Sequence, residues 1–196
     1  SLNSLKSQLN EKATLILDRD GVINVKSKKG EFIKDKRDLI FYDKLIYQIK
    51  NNSNYIQRIF ILTNQPWINT SLENNKLHEE IKNSILLRLK EFNLPIKYLY
   101  CPHAYSDRCS CRKPKQGNII KILQHQPILR RKIIFLGDSI SDSQTAQLMG
   151  DVSFISVNSG DFVNGSNNFT KILKSKINSD HKYFSLNGLP HGRYDS

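Results

Sequence analysis

A short apolar run, Ala-Thr-Leu-Ile-Leu, stops at Asp18-Arg19-Asp20-Gly21, placing two carboxylates one residue apart and a glycine directly after them. Alone, that pattern reads as a surface turn, because Asp and Gly are ordinary turn residues. A second apolar run ends at Gly137-Asp138, and a third ends at Thr63-Asn64-Gln65. If these run ends meet, Asp18, Asp20 and Asp138 form a cluster of like charges that needs a cation, and hard oxygen ligands suit Mg²⁺. A separate group, Cys101, His103, Cys109 and Cys111, follows the pattern C-x-H-x₅-C-x-C and contains all three cysteines. It supplies the four ligands of a closed tetrahedral zinc site, whose role would be structural. A disulfide fits an odd cysteine count poorly, and free buried thiols would not explain the crowding around one histidine.

The elements that must position these groups alternate. Strands are expected at residues 13–18, 57–63, 96–101, 132–138 and 152–157, with helices from Asp43, from Ser71, from Gly117 and over residues 141–150. The apolar spacing Leu45, Ile46, Ile49 is helical, and Ser71 with Glu73 opens the long helix. Near-continuous apolar strands joined by helices imply an α/β fold with a mainly parallel sheet covered on both faces. Its ligands bind beyond the carboxyl ends of the strands, where Asp18, Asp20, Thr63 and Asp138 all lie.

Composition sets outer limits. The 196 residues, 38% hydrophobic, suit one domain with its core over residues 13–158 and an extension over 159–196. The net charge of +12, from 30 basic and 18 acidic residues, fits an anionic substrate, a nucleic acid or a Lys-rich solvated surface. The lysines are scattered, which favours the last. No run of about 18 uncharged apolar residues exists and residues 1–12 lack an apolar centre, so no membrane association is expected and a cytoplasmic location is.

Four ordered pieces, DRDGVIN at residues 18–24, LTNQ at 62–65, CPHAYSDRCSCRKPKQG at 101–117 and GDSISD at 137–142, make the sequence resemble the haloacid dehalogenase-like (HAD) phosphatases. Within these it is similar to the branch of D-glycero-D-manno-heptose 1,7-bisphosphate phosphatases and histidinol-phosphate phosphatases. The resemblance implies a Rossmann-like HAD fold and Mg²⁺ held by the Asp18 carboxylate, the Asp20 carbonyl and Asp138. It further implies that Asp18 is the nucleophile forming an aspartyl-phosphate, that Asp20 is the acid and then base, and that Thr63 and Lys113 stabilise the transferring group. Asp142 is expected to support the metal shell, and Asn64 and Arg112 to bind substrate. Only 42 residues separate Asp20 from Thr63, leaving no room for a large cap domain. The zinc loop and residues 25–32 should flank the pocket instead.

The best substrate on this reading is D-glycero-D-manno-heptose 1,7-bisphosphate, losing its 7-phosphate, with histidinol phosphate or another sugar phosphate as alternatives. Pro66-Trp67 and Ser139 depart from the heptose pattern at positions expected to border the pocket. A nucleic-acid end-processing protein and a catalytically silent binding domain are the readings from other classes. Nucleic acid is not expected, since the sequence shows no aromatic-and-basic platform for bases, and a silent domain would have lost an aspartate. A monomer acting on a small phosphorylated metabolite is expected. His78, His125, His181 and His191 are read as ordinary solvated or hydrogen-bonded residues, and Trp67 as a core anchor or a pocket wall.

Overall fold

The computed structural model of the protein describes residues 12–28, 31–124 and 130–178. Strand β1 (Ala13–Leu17) is followed by α1 (Asp43–Asn51), β2 (Ile56–Asn64), α2 (Leu72–Leu89) and β3 (Ile96–Cys101). Then come α3 (Gly117–Leu123), β4 (Ile133–Gly137), α4 (Ile140–Met149), β5 (Ser153–Asn158), β6 (Asp161–Phe162) and α5 (Ser166–Asn178). One sheet runs in the order β3-β2-β1-β4-β5-β6, with β1 to β5 parallel and β6 antiparallel on β5. Every residue of β1 and β4 is buried, as strands covered on both faces must be.

The period of two along β1 divides the core. Leu15 and Leu17 face one apolar cluster with Leu45, Ile49, Ile81 and Ile85, so α1 and α2 cover that face. Ile16 faces the other with Phe60, Phe135, Ile119, Ile122 and Met149, so α3 and α4 cover the opposite one. The first cluster continues past residue 158, where the sequence reading drew the edge of the core: Phe162, Phe169 and Leu173 are buried in it. Burial of such side chains is worth about 1.5–3 kcal/mol each, which makes α5 part of the fold's stability. The strands and helices read from sequence all form, with ends shifted by a residue or two. The two-residue β6 and α5 had no counterpart in that reading.

The strand order reverses between β1 and β4, so the crevice beyond their carboxyl ends is the switch point where such sheets bind ligands. Asp18 leaves β1 there, its amide donating to the Leu136 carbonyl at 2.9 Å, and Asp138 leaves β4. The turn after Asp20 approaches Asp138 closely. Gly21 has φ +90°, and a Cβ on it would lie 2.1 Å from Asp138 Oδ2, so only glycine fits.

Candidate active site

Three carboxylates meet at the switch point. Asp18, Asp138 and Asp142 each place an oxygen within 4.8 Å of the others, in a group able to hold a metal ion. The Lys113 ammonium, buried, donates to Asp18 Oδ1 at 2.7 Å and to Asp142 Oδ1 at 2.6 Å. Burial is the largest influence on Asp18 and pushes its pKa up to about 7, against the pull of Lys113. Burial also opposes the Lys113 charge, but the two carboxylates outweigh it and hold its pKa above the usual value.

Asp142 is placed by helix capping. The Ser139 hydroxyl and amide donate to Asp142 Oδ2 at 2.7 and 3.1 Å, and Ser139 Oγ accepts from the Asp142 amide, forming a capping box at the start of α4. The Asp138 amide also donates to Asp142 Oδ2 at 3.2 Å. With both oxygens engaged, Asp142 orients Lys113 and the start of α4. Asp138 differs: Oδ2 accepts from Lys26 Nζ at 2.9 Å, while Oδ1 is buried with no partner. A buried acceptor without a donor is what a hard cation satisfies.

Asp20 lies beside this group but turns its carboxylate to other partners. The buried Arg19 guanidinium donates through Nη2 to Oδ1 and Oδ2 at 2.8 and 2.9 Å, Asn24 Nδ2 to Oδ1 at 2.9 Å, and Gln65 Nε2 to Oδ2 at 2.7 Å. Burial alone would raise its pKa, yet the Arg19 charge and these donors outweigh burial and hold it below the usual carboxylate range. Gln65 Nε2 also reaches the buried Thr63 Oγ1 at 2.8 Å, and Gln65 Oε1 accepts from Trp67 Nε1 at 2.6 Å. Trp67 therefore fixes the amide that joins Thr63 to Asp20.

The loop from β3 to α3 carries the second metal group. Cys101 Sγ lies 3.5 Å from Cys109 Sγ, and His103 Nδ1 lies 3.6 and 3.2 Å from Cys101 and Cys111 Sγ. All four ligand atoms fall within 4.8 Å, a cluster that could hold a metal ion. Burial pushes Cys101 up to about 12. Burial also raises Cys109, but the Arg112 amide and the other two thiols outweigh it and bring it down to about 7. Beyond the cluster, Arg112 Nη1 donates to the His103 carbonyl at 3.2 Å. A cavity of about 650 Å³ opens here, walled by Tyr105, Arg108, Arg112, Lys113 and Lys115. On the other side of the carboxylates lies a cavity of about 450 Å³ walled by Gly21, Lys26, Tyr42, Asp138, Asn158 and Ser159.

Several expectations change. Asn64, expected to bind substrate, uses its amide on the backbone of Lys113, accepting from its N–H at 2.9 Å and donating to its carbonyl at 3.3 Å. Trp67 is a core residue stacked on Phe32 at 4.7 Å and Ser139 caps a helix, and neither is among the walls of the two cavities. His78 is not solvated. It is buried among Trp67, Tyr98 and Tyr100, and neither ring nitrogen has a hydrogen-bond partner. His125, His181 and His191 lie outside the described residues. Exposed Tyr105 among Arg108, Arg112 and Lys115 is an aromatic-and-basic surface that the linear sequence did not reveal. Arg19, Gln65 and Lys26 were missed as site residues, although the first two stand inside the DRDG and LTNQ pieces.

The family model described as polynucleotide kinase 3 phosphatase matches residues 14–184. A D-glycero-β-D-manno-heptose-1,7-bisphosphate 7-phosphatase of Helicobacter pylori is 33% identical over 132 residues, covering 65% of this chain and 73% of that protein. The corresponding α-anomer 7-phosphatase of Campylobacter jejuni is 32% identical over 167 residues, covering 81% of this chain and 92% of its own. Among solved structures, the D,D-heptose 1,7-bisphosphate phosphatase of B. bronchiseptica, complexed with magnesium and phosphate, has a TM-score of 0.59 at 23% identity. It covers 76% of this chain and 83% of its own. Among the described residues, no helix is long and apolar enough to cross a membrane.

Proposed function

Because the chain belongs to the polynucleotide kinase 3 phosphatase family of HAD-like phosphatases, and is thereby a phosphate monoester hydrolase, we propose that it removes the 7-phosphate of a D-glycero-D-manno-heptose 1,7-bisphosphate through an aspartyl-phosphate on Asp18. Relatives bearing that activity in their names support the substrate, and they include both anomers, so the reading names the heptose and leaves the anomer open. The observation that carries the mechanism is the buried Asp18–Lys113–Asp142 chain at the switch point.

Asp18 attacks phosphorus as the bond to the leaving oxygen breaks, dividing one difficult displacement into two easier ones. Lys113 neutralises charge on the transferring group from a position fixed by Asn64 and Asp142, and the Thr63 hydroxyl is assigned to the same group. Asp20 protonates the leaving oxygen and then draws a proton from the water that cleaves the phosphoenzyme. Its ionisation by Arg19 suits the second task, while the first requires a proton held against Arg19's charge. Asp18, Asp138 and the Asp20 carbonyl would hold Mg²⁺, which supplies charge neutralisation when bound. Cys101, His103, Cys109 and Cys111 would hold a structural Zn²⁺. Arg112 is assigned to the non-reacting phosphate, since a guanidinium matches phosphate with paired donors.

A phosphorylated nucleic-acid end is the second reading, favoured by the family description and by Tyr105 among three basic side chains. Phosphate release with Mg²⁺ from heptose bisphosphate, histidinol phosphate and a 3′-phosphorylated oligonucleotide separates the readings. The heptose should show the highest kcat/KM, and Asp18→Asn should abolish turnover with the fold retained. Dominant oligonucleotide turnover would replace the substrate assignment. Substantial activity in deamidation-free Asp18→Asn protein would remove the covalent mechanism.

A further inference from the structure

Lys26 bonds Asp138 at 2.9 Å although its side chain is 56% exposed, and it enters the site from outside every motif. The chain leading into it is anchored. The Val25 amide donates to the Ile40 carbonyl at 2.8 Å, the Tyr42 amide donates to the Ile23 carbonyl at 2.9 Å, and Gly21 lies against Asp138. The base of the side chain is thus fixed while its four-carbon stem can swing over the cavity walled by Tyr42, Asn158 and Ser159.

The charges near it are already paired. Lys113 is shared by Asp18 and Asp142, and Arg19 is taken by Asp20. Among the described residues, Lys26 is therefore the cation that bonds Asp138, on Oδ2, while Oδ1 remains buried and without a partner. A divalent cation drawn to Asp138 meets an ammonium on the same carboxylate, and like charges at that range repel. A phosphate adds negative charge within the swing of the same stem.

We propose that Lys26 exchanges partners during binding: it neutralises Asp138, yields that carboxylate to the divalent cation, and then donates to the phosphate. This rests on the reading of Asp138 as a metal ligand. It makes Lys26 a substrate-binding residue, and it links cation and phosphate binding reciprocally, because each frees or uses the same ammonium.

Calorimetric titration of Mg²⁺ into the protein, with and without inorganic phosphate, tests it. Without phosphate, Lys26→Met should bind Mg²⁺ about two- to fivefold more tightly, the scale of a competing partly exposed ion pair. The Mg²⁺-saturated variant should bind phosphate about tenfold more weakly. Lys34→Met removes an exposed lysine of the same segment that bonds none of these carboxylates, and should change either constant less than about twofold. Equal Mg²⁺ affinity in wild type and Lys26→Met, or equal phosphate affinity, overturns the exchange. Mg²⁺ binding left intact by Asp138→Asn would overturn the metal assignment and the exchange with it. Because Lys26 is exposed, the variant is expected to melt with wild type.

Discussion

His78 occupies the buried face of α2 with Ile81, Ile85 and Leu89, a 3-4-4 spacing that its charged neighbours Glu79, Glu80 and Lys82 obscure in the sequence. The spacing was legible, but residue type argued for water, and tertiary packing overrode it. Burial first, and then the Arg19 charge, lowers its pKa from 6.5 to about 4. The unfolded chain therefore binds more protons between those values, so the His78 contribution to stability is complete above about pH 6.5 and is lost as pH falls toward 4. At pH 5 the penalty amounts to about 2 kcal/mol. Since both ring nitrogens lack partners, an apolar ring of similar shape leaves nothing unsatisfied. Urea melts should find His78→Phe at least as stable as wild type at pH 7, with its advantage widening by about 2 kcal/mol at pH 5. Parallel pH profiles of the two proteins would mean that His78 is not held neutral.

At the scale of elements, the loop from β3 to α3 holds two site residues by different means. Lys113 is clamped through its backbone by Asn64 of β2, independently of the cysteines, whereas Arg112 is tied to the His103 carbonyl inside the cluster. Stripping the metal should therefore release Arg112 more than Lys113. One tightly held zinc per chain is expected by metal analysis, and chelation should raise amide exchange across residues 103–112 while the strands stay protected. KM for the bisphosphate should rise about tenfold or more with kcat falling only a few-fold, the signature of lost binding to the non-reacting part. An equal collapse of kcat would mean that the cluster supports Lys113 as well. The loop's Cys/His cluster was legible because four side chains with metal affinity crowd into 11 residues. The partners of Asn64 were not, because a short polar strand end gives no sign of whether its amide faces substrate or backbone. Likewise for α5: Phe169, Ile172 and Leu173 have helical spacing, but no motif beyond residue 142 marks that part of the chain.

For the whole molecule, the +12 charge acquires a direction once the chain is folded. The sequence showed scattered lysines; the fold gathers Arg108, Arg112 and Lys115 on one side of the carboxylates and Lys26 on the other. A basic rim around an acidic, metal-suited floor draws anions toward the crevice, and at exposed positions that attraction is screened over about 10 Å at 0.1 M salt. The Lys113 contacts are buried and screened far less. Added salt should therefore slow capture without touching chemistry. Between about 20 and 300 mM NaCl, kcat/KM for heptose bisphosphate should fall roughly three- to tenfold with kcat unchanged, and that for an aryl monophosphate should fall less. A 3′-phosphorylated oligonucleotide would lose affinity more steeply, in proportion to the phosphates it contacts, if the Tyr105 side of the crevice held it. Salt-independent kcat/KM for the bisphosphate would mean that the basic side chains serve only to solvate the surface, and that Lys113 and the carboxylate-bound cation account for phosphate capture by themselves.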